Sequence, residues 1–268
     1  MAKDHRRSRF IPFRKADILD MCIRDAGLSG DEVEEFRQFT RILEALFHFE
    51  FQQRLETLKN SYAPFNPDAD TRLLTEVSEK DRKLLQQKLL DEMTAVLNAA
   101  NFERITAEDL AQALAEESLF KIRLEVDFDD FEDVIFFRRG ESVRQEILRQ
   151  IGGLRKKTFS FTNYDRVAVY VKFKDAEEEE FKEAVLAYYF LLTAEGAQVQ
   201  NEIDDRIEKW FEQHWNCNLN FEFDDALKKL ERLELVSRDG VKLRALPLAE
   251  AKRRLDFIWD NYFAFNAN

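Results

Sequence analysis

The chain has 268 residues and carries 41 Lys and Arg against 53 Asp and Glu, a formal net charge of −12. This length is ample for a sizeable core in one or two domains. Only 7 Gly and 4 Pro are present, which argues against an all-β fold with many tight turns. The acidic excess disfavours non-specific binding of nucleic acid by the protein as a whole.

Cysteine usage and hydropathy indicate the compartment. Cys22 and Cys217 lie far apart and form neither a metal-ligand spacing nor a disulfide framework, as expected in a reducing cytoplasm. No apolar run approaches the roughly 20 residues that span a bilayer. The basic N-terminus lacks the apolar segment of a secretory signal. The expected location is the cytoplasm, with peripheral attachment to the inner membrane as the second expectation.

Residues 1–118 are predicted to form a helical subdomain. A short helix is expected over residues 16–26, and a long one from near Asp31 to Tyr62, where apolar residues recur at helical spacing. Ser78, followed three residues later by Asp81, predicts a third helix start. Its expected buried face consists of Leu84, Leu85, Leu89, Met93, Val96 and Leu97.

Residues 119–174 are predicted to form a small basic sheet with one helix. Apolar and polar residues alternate over 122–126 and again over 167–171, the period of a half-buried strand. An apolar run over 134–137 predicts a more central strand. Residues 141–150 favour a helix, which Gly152 and Gly153 end.

The basic charge is concentrated in this middle stretch. Residues 138–174 hold ten Lys and Arg against three Asp and Glu, although the whole chain is acidic. One interpretation is a solvated face that balances the acidic remainder. The other is an anion-binding or membrane-surface site. Its candidate residues are Arg138, Arg139, Arg144, Arg149, Arg155, Lys156, Lys157 and Arg166.

An acidic run over residues 127–133 is the one candidate for catalytic chemistry. It does not fit a calcium-binding EF-hand loop, because Phe131, Glu132 and Arg138 stand at positions 5, 6 and 12. A carboxylate pair for acid–base work remains an alternative. Its members would be Asp127, Asp129, Asp130 and Asp133, with Arg138 or Arg139.

The sequence shows no other recognisable feature of a catalytic site. The sequence has no Gly-rich phosphate loop, no metal-ligand spacing and no recognisable nucleophile with its base. His5, His48 and His214 stand in three different segments. We therefore predict no catalytic residue, no metal site and no cofactor.

Residues 175–268 are predicted to form a winged-helix-like domain followed by a C-terminal helix. Acidic residues over 177–180 are expected to open a helix, because the helix dipole favours acids at its start. Two further helices and a short extended piece follow. Asp239 and Gly240 then predict a hairpin, and Pro247 precedes the last helix.

Charge argues against DNA binding by this domain. Residues 175–268 hold 12 Lys and Arg against 21 Asp and Glu. Lys228, Lys229 and Arg232 lie on the expected third helix, but acidic residues surround them. Such a face repels the phosphates that supply most non-specific affinity.

The predicted fold is α+β and mostly helical, with an N-terminal helical subdomain, a small central β-sheet, and a C-terminal winged-helix-like unit with a final helix. The leading functional hypothesis is a non-catalytic interaction module that binds a protein partner or an anionic membrane surface. The alternative is a nucleic-acid-binding protein that uses the basic face or the third helix. An enzyme based on residues 127–133 is the third hypothesis.

Six stretches spread over nearly the whole chain follow the pattern of one family. They are RFIPFR at 9–14, YAPFNPDAD at 62–70, ANFE at 100–103, RLEVDFDDF at 123–131 with Arg139 and Gly140, DDALKKLERL at 224–233, and the ending from 247–250 to 259–263. In these stretches the chain resembles the transmembrane protein 143-like family, which occurs in mitochondria and in bacteria. The resemblance implies no particular activity.

The chain departs from that family at one joint. Family members look as if they carry a hairpin of membrane-spanning helices between the middle sheet and the C-terminal helical part. Here residues 170–174 run directly into the acidic residues 175–180. Either the chain is a naturally soluble relative or the hairpin has been removed. If a hairpin once lay at this joint, the basic stretch before it is expected beside a membrane surface, where attraction to anionic headgroups is worth about 1 kcal/mol per basic residue.

Overall fold

A computed structural model describes residues 9–26, 28, 30–65, 77–104, 137–138 and 161–262. For residues 65, 103–104, 137–138 and 161–173 it describes the backbone alone. The candidate strand over 122–126 and the candidate helix over 141–150 lie outside the described residues.

The described residues are mostly helical. Their α-helices are α1 Lys15–Ala26, α2 Gly30–Tyr62, α3 Glu79–Ala99, α4 Phe161–Leu192, α5 Gln200–Trp215, α6 Phe223–Arg232 and α7 Leu248–Tyr262. Their strands are β1 Glu103–Arg104, β2 Phe137–Arg138, β3 Gln198–Val199, β4 Val236–Asp239 and β5 Lys242–Ala245. The prediction of a mostly helical chain with a small sheet is confirmed at this level.

The chain divides into two compact units. The first unit comprises residues 1–8 and 54–176, and the second comprises 9–53 and 177–268. Both α2 and α4 pass from one unit into the other. The grouping of residues 9–53 with the C-terminal residues was not predicted from the sequence. The boundary predicted at 118 lies outside the described residues.

The core of the second unit is built around the second half of α4. Residues 184–191 of this helix are all less than 5% exposed, so the helix is covered on every side. Phe39 of α2 stacks on Tyr188 with ring centroids 4.4 Å apart. The Tyr188 hydroxyl donates a 2.9 Å hydrogen bond to the Leu246 carbonyl, which satisfies the polar end of a buried ring.

A three-stranded antiparallel sheet, in the order β3-β5-β4, completes the second unit. In the strand register, Lys242 of β5 pairs with Val199 of β3 on one side and with Asp239 of β4 on the other. Gly240 has a φ of +60° at the first position of the connecting turn, the arrangement of a type II′ turn. The predicted hairpin at Asp239 and Gly240 is therefore confirmed.

In the first unit, α3 begins where the sequence predicts it. The Ser78 hydroxyl accepts a 3.2 Å hydrogen bond from the Asp81 N–H, which caps the helix. The predicted buried face is wrong at its start, because Leu84 is 69% exposed whereas Val96 is buried. Periodicity identifies the apolar face of a helix, but not how far a packing partner extends along it.

The strand predicted over residues 167–171 is wrong. These residues lie inside α4, which runs without interruption from Phe161 to Leu192. No Gly or Pro occurs between residues 154 and 195, so nothing punctuates the helix. A short run rich in apolar residues fits a strand and a buried helix equally well.

Two related expectations need correction. The acidic residues 177–180 do not open a helix, because they lie in the middle of α4. The joint at 174–175 is likewise a continuous stretch of this helix. Among the described residues, none of the helices combines the length and the apolar composition needed to cross a membrane.

Candidate interaction surfaces

The predicted basic face falls mostly outside the described residues. Arg139, Arg144, Arg149, Arg155, Lys156 and Lys157 all lie there. The backbone of Arg138 is in β2, opposite Glu103, and that of Arg166 is in α4. Arg166 therefore lies on the helix that continues through residues 167–171, which were predicted to form a strand. The acidic cluster Asp127, Asp129, Asp130 and Asp133 also lies outside the described residues.

The acidic middle of α4 forms a buried clasp around the N-terminal arm, residues 9–14. The Lys182 ammonium forms an ion pair of 2.6 Å with Glu179, and both side chains are only 2% exposed. It also donates 2.9 Å hydrogen bonds to the carbonyls of Ile11 and Phe13. Glu179 in turn accepts a 3.1 Å hydrogen bond from the Ile11 N–H. A buried charge is tolerated when it is paired and hydrogen-bonded in this way.

The arm is fixed at two further points. The Lys15 N–H, at the start of α1, donates a 3.1 Å hydrogen bond to Glu178. Phe13 stacks on Phe211, with ring centroids 5.7 Å apart, and its edge meets Trp215 at 6.2 Å. The arm is therefore an integral part of the second unit.

A second buried charge cluster joins α4 to α6. Lys229 forms ion pairs with Glu183 at 2.7 Å and with Glu180 at 2.9 Å. Burial favours a lower pKa for Lys229, but the charges of Glu183 and Glu180 outweigh it, and the pKa is raised. Burial raises the pKa of Glu180 although Lys229 opposes the change.

The remaining cations of α6 are also engaged by carboxylates. Lys228 pairs with Asp225 at 3.1 Å, and Arg232 pairs with Glu50 of α2 at 2.9 Å. In a DNA-binding winged helix, the third helix presents its cations to the DNA phosphates. Here they are committed to partners within the second unit, as the acidic surroundings in the sequence suggest.

Cysteine and histidine often act in catalysis, but those in the described residues lie in surroundings typical of structural side chains. Cys22 is buried, and desolvation raises its pKa, as it does for the half-buried Cys217. His214 Nδ1 donates a 3.0 Å hydrogen bond to the Trp210 carbonyl. His48 Nδ1 lies 3.1 Å from the Glu177 carboxylate. No group of three or more His, Cys, Asp or Glu in the described ranges is arranged to hold a metal ion.

A shallow groove on the second unit combines several cations. Its volume is about 380 Å³. Lys252 Nζ donates to Gln38 Oε1 at 3.2 Å and lies 3.5 Å from Glu35. Arg41 and Arg253 are exposed and, within the described part of the chain, make no hydrogen bond or ion pair. The lining residues are Gln38, Arg41 and Ile42 of α2 and Lys252, Arg253 and Asp256 of α7.

Sequence reasoning missed both the clasp and this groove. The spacing of Gln38, Arg41 and Ile42 places them on one face of a helix, but a polar helix face is ordinary. The other wall of the groove lies more than 200 residues further along the chain. No local signal pairs two such helices.

Comparison with known proteins leaves the family resemblance a prediction. No family model matches this chain, and no solved structure matches it either.

Proposed function

We propose that the chain is a non-catalytic interaction module, and that its basic stretch, residues 138–174, docks it on an anionic membrane surface. The observation that carries the proposal is the segregation of charge. The stretch holds ten Lys and Arg against three Asp and Glu. In the described second unit, by contrast, cations such as Lys182, Lys229 and Arg232 are already paired with carboxylates. The stretch thus carries a local excess of seven positive charges in an acidic chain, which favours the attraction of anions.

The finer fold proposal is that the second unit contains a winged helix. In chain order, the second half of α4 is followed by β3, α5, α6 and the hairpin of β4 and β5. The pairing of β3 with β5, the later strand of the hairpin, supports this assignment. The commitment of the α6 cations to internal carboxylates favours a structural or protein-binding use of the unit over DNA binding.

Vesicle co-sedimentation tests the membrane proposal. The full chain is expected to sediment with phosphatidylserine-rich vesicles and to remain in solution with phosphatidylcholine alone. The triple variant Arg155→Gln, Lys156→Gln, Lys157→Gln loses three attractions of about 1 kcal/mol each, so its affinity is expected to fall roughly a hundredfold.

A matched control variant distinguishes an effect of the basic stretch from an effect of the protein's net charge. The variant Lys209→Gln, Lys242→Gln, Arg244→Gln removes three exposed cations of the second unit and should bind the vesicles as the wild type does. Equal failure of the wild type on both vesicle types would reject the proposal, as would equal losses in the two variants. Binding to duplex DNA with a steep salt dependence would favour the nucleic-acid alternative instead.

A further inference from the structure

Within the described part of the chain, the guanidinium groups of two arginines in the groove between α2 and α7 make no hydrogen bond or ion pair. Neighbouring cations on the same helices are paired: Arg37 lies 3.6 Å from Asp20, and Arg254 lies 2.5 Å from Glu234. Arg41 follows Arg37 by one helical turn, and Arg253 precedes Arg254 directly. Their lack of partners within the described residues is therefore not a general property of these helices.

The charge of the lining residues defines the ligand that would neutralise them. Arg41, Lys252 and Arg253 contribute three positive charges, Asp256 contributes one negative charge, and Glu35, 3.5 Å from Lys252, contributes a second. The remaining excess of one positive charge favours an anion such as a phosphate monoester, which carries about −1.5 to −2 at pH 7. The planar guanidinium fork fits phosphate oxygens in a bidentate manner.

We propose that this groove binds the phosphoryl group of a small organic phosphate. Arg41 and Arg253 hold the phosphate oxygens, and Lys252, positioned by Gln38 and Glu35, adds a third cation. Ile42 provides an apolar surface for the carbon skeleton, and Asp256 accepts a hydrogen bond from a ligand hydroxyl. A volume of about 380 Å³ lies within the usual range for small-molecule sites. The site uses none of the residues of the proposed membrane-docking stretch.

Calorimetric titration of the full chain with glycerol 3-phosphate at constant ionic strength tests the proposal. The wild type is expected to bind, and Arg41→Gln and Arg253→Gln are each expected to weaken binding at least about tenfold, because each removes a charge-assisted hydrogen bond. The double variant should show no measurable heat of binding. Both positions are exposed, so far-UV circular dichroism should be unchanged.

The matched control is Arg24→Gln, which removes an exposed arginine of α1 elsewhere on the second unit and should leave the affinity unchanged. An equal loss in this control would overturn the proposal, as would absence of binding by the wild type. Tighter binding of succinate than of glycerol 3-phosphate would assign the groove to dicarboxylates instead. Vesicle binding that requires Arg41 and Arg253, without binding of the free ester, would assign it to a lipid headgroup.

Discussion

Lys182 is the residue on which the N-terminal arm depends. Its ammonium is almost fully removed from solvent, yet it forms ion pairs with Glu179 at 2.6 Å and Glu178 at 3.9 Å, and two hydrogen bonds to backbone carbonyls. Removal of one member of such a cluster leaves the others buried without compensation. The cluster therefore couples the position of the arm to the middle of α4.

The variant Lys182→Met tests this coupling. It leaves the buried Glu179 carboxylate without its cation and two carbonyls without the ammonium donor, and we expect the free energy of unfolding to fall by about 3–5 kcal/mol, as measured by urea denaturation. The double variant Lys182→Met, Glu179→Gln should lose less than the sum of the single variants, since the orphaned charge is gone. Lys209→Met, at an exposed position of α5, should change stability by less than about 0.5 kcal/mol. A similar small loss in Lys182→Met would contradict the clasp.

The two thiols should differ in reactivity. Cys22 is fully buried and Cys217 is half-buried, and desolvation raises the pKa of both thiols. Under native conditions at pH 8, we expect a disulfide reagent to modify Cys217 slowly, and Cys22 only through opening of the core. The Cys22→Ser and Cys217→Ser variants assign the two phases. Equal rates at both positions in the folded protein would show that Cys22 is not in the core.

At the scale of helices and strands, the predictions that rest on residues close together in the sequence are confirmed. The hairpin at Gly240 and the helix start at Ser78 are set by residues that lie within a few positions of each other. The helix over 161–173 was not predicted, because valines at 167, 169 and 171 alternate with other residues, as in a strand. Continuity with the strongly helical residues 174–192 overrides this local preference.

Gly240→Ala tests the turn that connects β4 and β5. A side chain at a φ of +60° is strained, so we expect a loss of stability of about 1–2 kcal/mol in urea denaturation. Gly30→Ala is the matched control. Gly30 begins α2, has open space around it and has no positive φ, so alanine should be neutral or slightly stabilising there. Equal effects at the two glycines would indicate a different turn geometry.

At the scale of the molecule, the second unit is assembled from two distant segments. Residues 9–53 supply the arm and the phenylalanines of α2, and residues 177–268 supply the other half of the core. The sequence predicts helices in both segments, but it carries no signal for which of them share a core. For the same reason the groove residues of α2 and α7 could not be brought together from spacing alone.

This assembly predicts that the second unit folds by itself once its segments are joined. His48 lies next to Glu177, so Gln53 is only five residues, about 7.5 Å along α2, beyond a point of contact with α4. A flexible linker of about ten Gly and Ser residues spans roughly 17 Å and is long enough to connect residue 53 to residue 177. The fusion should unfold cooperatively, and its tryptophan emission should match that of the full chain, because Trp210, Trp215 and Trp259 all lie in this unit.

Residues 177–268 alone provide the comparison. Without residues 9–53, Tyr188 loses its contact with Phe39, Phe211 loses its contact with Phe13, and Lys182 loses two carbonyl acceptors. The fragment should therefore expose apolar surface and bind a hydrophobic dye. A fusion that starts at residue 15 retains α1 and α2 but lacks the arm, and it should be less stable than the longer fusion by an amount similar to the loss in Lys182→Met. Cooperative unfolding of residues 177–268 alone, with native tryptophan emission, would mean that the N-terminal segment is an accessory to this core and not half of it.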